Sequence, residues 1–247
     1  MAGIKSLFKD TAIYGMSSIV GRLLNWCLVP MYTYTFAAAE YGVVTNLYAY
    51  VALVLIILTY GMETGFFRFA NHDRWTDPGQ VYTTSLLSLG FTSMVFIVAA
   101  CWLSPEIAVW LDCPGHASYI WMMAIAVGVD AYTSIPFAYL RYKKKPLRFA
   151  TLRLLNIAIN IGLNLFFILA CPAIWRSNPE WIGWFYNPSF GIGYIFLANL
   201  ISSLAVLLMV VPEILAENYN FNFRLLREML RYSFPILICL LYTSDAA

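Results

Sequence analysis

Charge is what this sequence has least of. Asp, Glu, Lys and Arg make up 11% of its 247 residues, where a soluble domain carries about 25%. Histidine occurs only at His72 and His116, with no metal-ligand partner at a usable spacing. The five cysteines (Cys27, Cys101, Cys113, Cys171 and Cys239) form no motif, and most sit among apolar residues. A nucleotide loop is missing too, because Gly191-x-Gly193 lacks the third glycine and the preceding strand. Nothing here predicts a cofactor, a metal or the constellation of a soluble enzyme. With a net charge of +2 and basic residues in short clusters, a nucleic-acid partner is excluded as well.

What is present is apolar. Hydrophobic residues reach 61% and aromatics 17%, with a mean hydropathy of +0.70. A soluble fold of this size leaves roughly a quarter or more of its chain's surface in water, too much for such a composition. The chain is predicted to be an integral membrane protein. Six windows approach or exceed the about 20 apolar residues that a spanning helix needs: Thr11–Phe36, Tyr41–Phe67, Tyr82–Leu103, Ala117–Leu140, Phe149–Cys171 and Phe190–Val211. Pro- and Gly-bearing breaks fall between them, at Asp77-Pro78-Gly79, Ser104-Pro105, Cys113-Pro114-Gly115, Lys145-Pro146 and Asn187-Pro188. Runs this long lack the alternation of membrane strands, so the predicted fold is all-α, a polytopic helix bundle. The first window is far longer than the about 7–15 residues of a signal-peptide core and is read as a retained helix.

Orientation follows from Lys and Arg. Lys5, Lys9, Arg68, Arg74, Arg141, Lys143, Lys144, Lys145, Arg148, Arg224, Arg227 and Arg231 fall on one side, against Arg176 alone on the other. The N-terminus is therefore expected in the cytoplasm, with loops 104–116 and 172–189 facing outward. Trp175, Trp181, Trp184 and Tyr186 suit an aromatic belt in the second of these. Residues 213–231 differ in kind: Phe223, Leu226, Met229 and Leu230 alternate at helical spacing with Arg224, Arg227, Glu228 and Arg231. They are expected to form an amphipathic linker on the cytoplasmic surface, a solvated loop being the other reading. A seventh window opens at Tyr232 and runs only to Tyr242, under about 20 Å of helix against a core about 30 Å thick. Residues 232–247 are accordingly read as a truncated seventh helix with an atypical tail, and the chain as a fragment.

Polar residues inside the windows are the functional candidates, since a charge at mid-membrane costs about 2.5–3.5 kcal/mol on insertion scales. Arg22 and Asn25 share a small, polar face of the first helix, Asp130 lies mid-way along the fourth, and Glu63 and Arg68 lie in the second. Asn156, Asn160 and Asn164 recur every four residues in the fifth, with Arg153 one turn before. Each has a structural reading: interhelical hydrogen bonding for the asparagines, an Arg22–Asp130 lock, and snorkelling for Arg68 and Arg153. Four of five helices carrying such groups favours a shared hydrophilic cavity, cationic in part, suited to an anionic, sugar-rich substrate.

Three segments carry a resemblance: Tyr14–Phe36 (YGMSSIVGRLLNWCLVPMYTYTF), Glu40–Ala70 with its E-Y-G, G-M-E-T and F-F-R-F elements, and Phe137–Leu165. In order, spacing and loop charge the chain resembles the bacterial oligosaccharide flippases, the polysaccharide-transporter branch of the multidrug/oligosaccharidyl-lipid/polysaccharide exporter superfamily. The resemblance implies a MATE-like two-lobe transporter of which residues 1–212 form the six-helix N-terminal lobe, 213–231 the bridge and 232–247 the start of helix seven. It implies translocation of an undecaprenyl-pyrophosphate-linked oligosaccharide across the bacterial inner membrane for O-antigen, capsule or exopolysaccharide assembly, beside membrane lipids and glycan-assembly proteins. Arg22 would meet the pyrophosphate, with Arg68, Asn25, Asn156, Asn160 and Asn164 as further substrate-binding residues. Glu63 or Asp130 would be the coupling acid for H+ or Na+. A lipid II flippase or a cation-coupled multidrug exporter of the same superfamily is the alternative. A membrane enzyme of polysaccharide assembly is disfavoured, because the outer loops hold only Glu106, Asp112, His116, Arg176 and Glu180 as charged residues or histidine.

Overall fold

The computed structural model describes residues 15–71 apart from 17, 18, 22 and 25, then 77–111, 113 and 115–245, with no side-chain description for 243–245. Its elements are helical throughout, and no strand occurs among the described residues. In chain order they are α1 (Leu28–Thr35), α2 (Ala38–Thr59), α3 (Met62–Ala70), α4 (Pro78–Trp102), α5 (Ser104–Trp110) and α6 (Ala117–Tyr142). Next come α7 (Pro146–Leu165), α8 (Cys171–Ser177), α9 (Pro179–Ile182), α10 (Gly193–Ile214) and α11 (Phe223–Asp245). Five spans among the described residues are long and apolar enough to cross a membrane: Ala38–Ala70, Pro78–Trp102, Ala117–Tyr142, Pro146–Ser177 and Gly193–Ile214. This is a multi-pass membrane protein, and its fold class is the all-α bundle expected from the windows.

Helix boundaries are set by local chemistry just outside the apolar windows. The Asp77 carboxylate accepts from the Gly79 N–H at 2.9 Å, and Pro78 fills the first turn, where no N–H is needed. Lys145-Pro146 starts α7 in the same way. Glu40, three residues into α2, reaches back to the Ala37 N–H at 3.2 Å, which gives the E-Y-G element a capping role. Within the long α7–α8 span, Phe166–Ala170 forms a π-turn. Pro172 accounts for it, because its ring displaces the carbonyl four residues back and the ladder must widen.

One helix organises the rest. In the most apolar stretch of α6, 72% of the residues are buried, against 17–28% in the α2–α3, α4 and α7–α8 spans. Small residues make that possible. A Cβ on Gly128 would lie 2.5 Å from Ile97 Cγ1, so α4 and α6 meet at a distance only glycine permits. Gly128→Leu is expected to cost about 1–3 kcal/mol through overpacking. It should be seen as a lowered apparent Tm of the detergent-purified protein; an unchanged Tm would show that the contact yields freely.

The second span is broken rather than straight. Tyr60 and Gly61 both take left-handed backbone, at φ 35° and 69°, and separate α2 from α3. The Tyr60 hydroxyl shares a 2.7 Å hydrogen bond with Ser88 of α4, which holds the break in place. Beyond it, Gly61 and Gly65 open the surface of α3 to α11. A Cβ on Gly65 would stand 2.6 Å from Ser233 Oγ, and one on Gly61 would stand 3.1 Å from the Ser233 carbonyl oxygen. The G-M-E-T element is thus the first four positions of a small-xxx-small seat for the seventh helix.

Candidate functional site

A cavity of about 420 Å³ opens among α1, α2, α7 and α10. Its apolar wall includes Leu28, Val44 and Ile157, and its polar wall comes from three helical stripes. Tyr41, Thr45 and Tyr48 stand at i, i+4 and i+7 on α2; Asn156 and Asn160 stand at i and i+4 on α7; Asn199 and Ser202 face them from α10. Amides and hydroxyls converging inside otherwise apolar spans make a surface that hydrogen-bonds a neutral polyol as readily as an anion.

One end of this cavity is closed by a chain of hydrogen bonds. The Tyr32 hydroxyl of α1 donates to Asn164 Oδ1 at 2.9 Å. Asn164 Nδ2 donates to the Asn160 carbonyl oxygen at 2.8 Å and to Asn160 Oδ1 at 3.2 Å. Asn160 Nδ2 in turn donates to Ser202 Oγ at 3.3 Å, and Ser202 to the Asn199 carbonyl oxygen at 2.8 Å. The asparagine stripe therefore divides. Asn164 is buried and ties α1 to α7, whereas Asn156 and Asn160 line the cavity.

A second polar system crosses the lobe towards the end where the basic loops gather. Asp130 lies against Ser203 of α10 and within electrostatic reach of Arg153 and Tyr48. The Arg153 guanidinium packs 4.5 Å over the Phe137 ring, and its field includes Asp130, Arg141 and Glu63. Arg141 completes the line by pairing with Glu63. Glu63 and Arg141 thus form an ion pair between α3 and α6, with Arg153 of α7 and Asp130 of α6 within electrostatic reach of each other and Arg153 within reach of that pair, in a setting where a lone charge is expensive.

At the basic end the last turn of α10 and the link 215–222 are strapped to the lobe. Arg148 Nε donates to Glu213 at 3.0 Å and Nη2 to the Met209 carbonyl oxygen at 2.9 Å. Glu217 accepts from the Tyr139 hydroxyl and pairs with Lys143 at 3.3 Å. Chiefly that hydroxyl, and with it the Lys143 ammonium, hold the Glu217 carboxyl below its usual range against the opposing effect of burial. The Thr83 hydroxyl donates to the Asn220 carbonyl oxygen at 3.1 Å, the Asn222 N–H donates to Thr84 Oγ1 at 3.3 Å, and Asn222 Oδ1 caps α11 by accepting from the Leu225 N–H at 3.1 Å.

The candidates read from the sequence are distributed as follows. Asn156 and Asn160 line the cavity, whereas Asn164 is sealed beside it by Tyr32; Glu63 pairs with Arg141, and Asp130 lies within electrostatic reach of Arg153. Arg68 is apart from both, its guanidinium 4.3 Å over the Tyr232 ring. Arg22 and Asn25 lie outside the described residues. Tyr32, Tyr41, Thr45, Tyr48, Asn199 and Ser202 were not singled out by sequence; the i, i+4, i+7 spacing on α2 was the available signal. Arg141 was counted as a loop cation, although it turns inward to Glu63.

The bundle is similar to a solved transporter structure, "Crystal structure of MATE in complex with Br-NRF", with a TM-score of 0.70 at 15% sequence identity. The match covers 98% of this chain and 57% of that one, so the chain spans little more than half that transporter's length. At that identity the similarity speaks for the fold alone. No curated protein matches the chain. A family profile described as polysaccharide biosynthesis protein matches residues 36–176. That stretch is more than half of the chain and contains α2 to α7, and with them the break at Gly61, the charge network and the asparagine stripe. The chain belongs to the polysaccharide biosynthesis protein family.

Proposed function

We propose that this chain is the first lobe of a flippase that carries a lipid-linked oligosaccharide across the bacterial inner membrane. Residues 1–212 belong to the lobe with the N-terminus in the cytoplasm, 213–231 lead towards the second lobe, and helix seven, expected from 232, is continuous with the amphipathic segment in α11 (Phe223–Asp245). The observation that carries this reading is the cavity between α1, α2, α7 and α10. Amides and hydroxyls line it inside apolar spans, which suits a sugar-rich cargo better than an apolar one. Arg22 and Asn25, which lie outside the described residues, would be further substrate-binding groups, with Arg22 meeting the diphosphate. The charge network, with an acid at each end, supplies the groups that an ion gradient could protonate or occupy.

The experiment is complementation of a flippase-deficient strain by the complete protein. Asn156→Leu/Asn160→Leu is expected to reduce surface glycan by roughly tenfold or more, on the basis of about 1 kcal/mol per lost hydrogen bond, with membrane levels unchanged. Full complementation by this variant removes the cavity from the substrate path.

A further inference from the structure

The polar groups of the cavity divide into those already paired and those left for a ligand. Thr45 Oγ1 donates to the Gly42 carbonyl oxygen of its own helix at 2.9 Å. Asn160 Nδ2 is paired with Ser202 at 3.3 Å, Asn160 Oδ1 accepts from Asn164 at 3.2 Å, and the Tyr32 hydroxyl is engaged by Asn164 at 2.9 Å. Four polar lining side chains remain among the described residues. Those of Tyr41 and Tyr48 on α2 and Asn156 on α7 make no hydrogen bond there, and Asn199 of α10 has only the Met123 sulfur, 3.9 Å from its Nδ2. All four are half-buried. Neighbouring rings hold the two phenols, Tyr32 at 6.2 Å from Tyr41 and Phe196 at 6.1 Å from Tyr48 between centroids. The set is assembled by α2, α7 and α10 of this one lobe, whatever covers the mouth of the cavity.

The unpaired groups restrict the chemistry of a ligand. Amide N–H and phenol O–H groups donate, whereas an amide oxygen only accepts. The Asn156 and Asn199 oxygens therefore need a ligand that donates, and their N–H groups need one that accepts. Phosphate and carboxylate oxygens accept only, and would leave both amide oxygens desolvated and unpaired, which costs more than a typical hydrogen bond returns. An ammonium only donates, and fails the amide N–H groups in the same way. An acyl chain satisfies none of the four. A hydroxyl donates once and accepts twice, and adjacent hydroxyls on one sugar ring meet both needs together. Tyr41 and Tyr48 stand about 10 Å apart along α2, so the set brackets a ring rather than a single hydroxyl.

We propose that Tyr41, Tyr48, Asn156 and Asn199 are the side chains that read the sugar of the cargo. They bind a pyranose ring through free hydroxyls that donate to the two amides, while Asn160 and Ser202 hold the walls in place. The cargo's diphosphate is bound outside this set. This rests on the reading of the cavity as the cargo's path, and adds which side chains select and what they select.

The test is saturation-transfer NMR on the full chain in phosphatidylcholine nanodiscs, with the methyl glycosides of glucose, galactose and mannose as probes. At least one is expected to bind. Tyr41→Phe/Tyr48→Phe removes two hydroxyls and keeps both rings, and should weaken that binding about 25-fold, at about fivefold per hydrogen bond. Asn156→Leu/Asn199→Leu should weaken it at least as much, Lys144→Gln should leave it unchanged, and the apparent Tm of each variant reports whether the fold is intact. A second measurement needs only the wild-type chain. In deoxyfluoro analogues of the bound glycoside, fluorine is close in size to a hydroxyl but cannot donate, and each donating hydroxyl so replaced should cost about fivefold. Neither inorganic diphosphate nor ethylammonium should compete. The proposal is overturned if no glycoside binds, if the tyrosine variant binds as wild type does, or if every deoxyfluoro analogue binds as well as its parent. Competition by diphosphate overturns it in favour of an anion site, and competition by ethylammonium in favour of a cation site. Sugar binding through this set, in a complete protein that moves no glycan, refutes the flippase reading and leaves the site standing.

Discussion

Asp130→Asn is expected to abolish transport by the complete protein while leaving its membrane level close to wild type. Asn keeps the size of the side chain and a hydrogen-bonding group for Ser203, so packing within α6 is preserved. What is lost is the only charge of α6 that lies midway between Ala117 and Tyr142, and with it the group proposed to take up the coupling ion. Transport driven by an ion gradient should fall about 100-fold or more, the usual scale for losing a positioned proton-transfer group. Arg153 is then left with one acidic neighbour fewer, at a cost bounded by about 2.5–3.5 kcal/mol for an unmatched charge in the bilayer. The double variant Asp130→Asn/Arg153→Gln separates the two roles. If Asp130 only locks α6 to α7, removing both charges restores transport; if it couples an ion, the double variant stays inactive. Vesicle transport with and without an imposed gradient reads the difference, and recovery in the double variant sinks the coupling role.

The second large effect is expected at the Glu63–Arg141 pair, and it is one of stability. The side chains are 41% and 32% exposed, between a buried pair, where removing one partner costs about 3–5 kcal/mol, and a surface pair worth about 0–1 kcal/mol. Glu63→Gln should therefore cost about 2 kcal/mol, a substantial part of a stability of about 5–15 kcal/mol. Arg141 makes the loss worse, because its Nε is already buried without a hydrogen-bond partner. The double variant Glu63→Gln/Arg141→Gln should regain most of that stability in detergent-based thermal unfolding. Strict additivity of the two single variants would mean that the charges do not interact.

Much of this architecture was legible in composition alone. The windows Tyr41–Phe67 and Ala117–Leu140 became the helical spans Ala38–Ala70, broken at Tyr60–Gly61, and Ala117–Tyr142, because a bilayer leaves a long apolar run little choice but helical structure. The ends shifted outward by a few residues for a local reason. Pro78 and Pro146 read as loop punctuation, yet both occupy first helical turns, and Asp77 is a cap rather than a linker residue. Within the site, the i, i+4, i+8 spacing of Asn156, Asn160 and Asn164 put them on one face, and that holds in three dimensions. Spacing does not say which of them is sealed. Asn164 is closed off by Tyr32, 132 residues away in the chain, and no pattern within α7 contains that fact.

By itself the sequence determined the class of this protein: few charges, apolar runs long enough to span, and basic residues gathered on alternate loops. Those properties depend on composition and local order, which the bilayer as solvent reads directly. Only the tertiary structure decided which polar groups meet. Arg141 looks like one more loop cation until α6 and α3 are packed, and then it is Glu63's partner. Gly61 and Gly65 are two small residues until α11 lies against them, and then they are its seat. Such pairings join residues tens to more than a hundred positions apart. Their energy comes from helices approaching closely in a low-dielectric medium, a relation between segments that no single segment encodes.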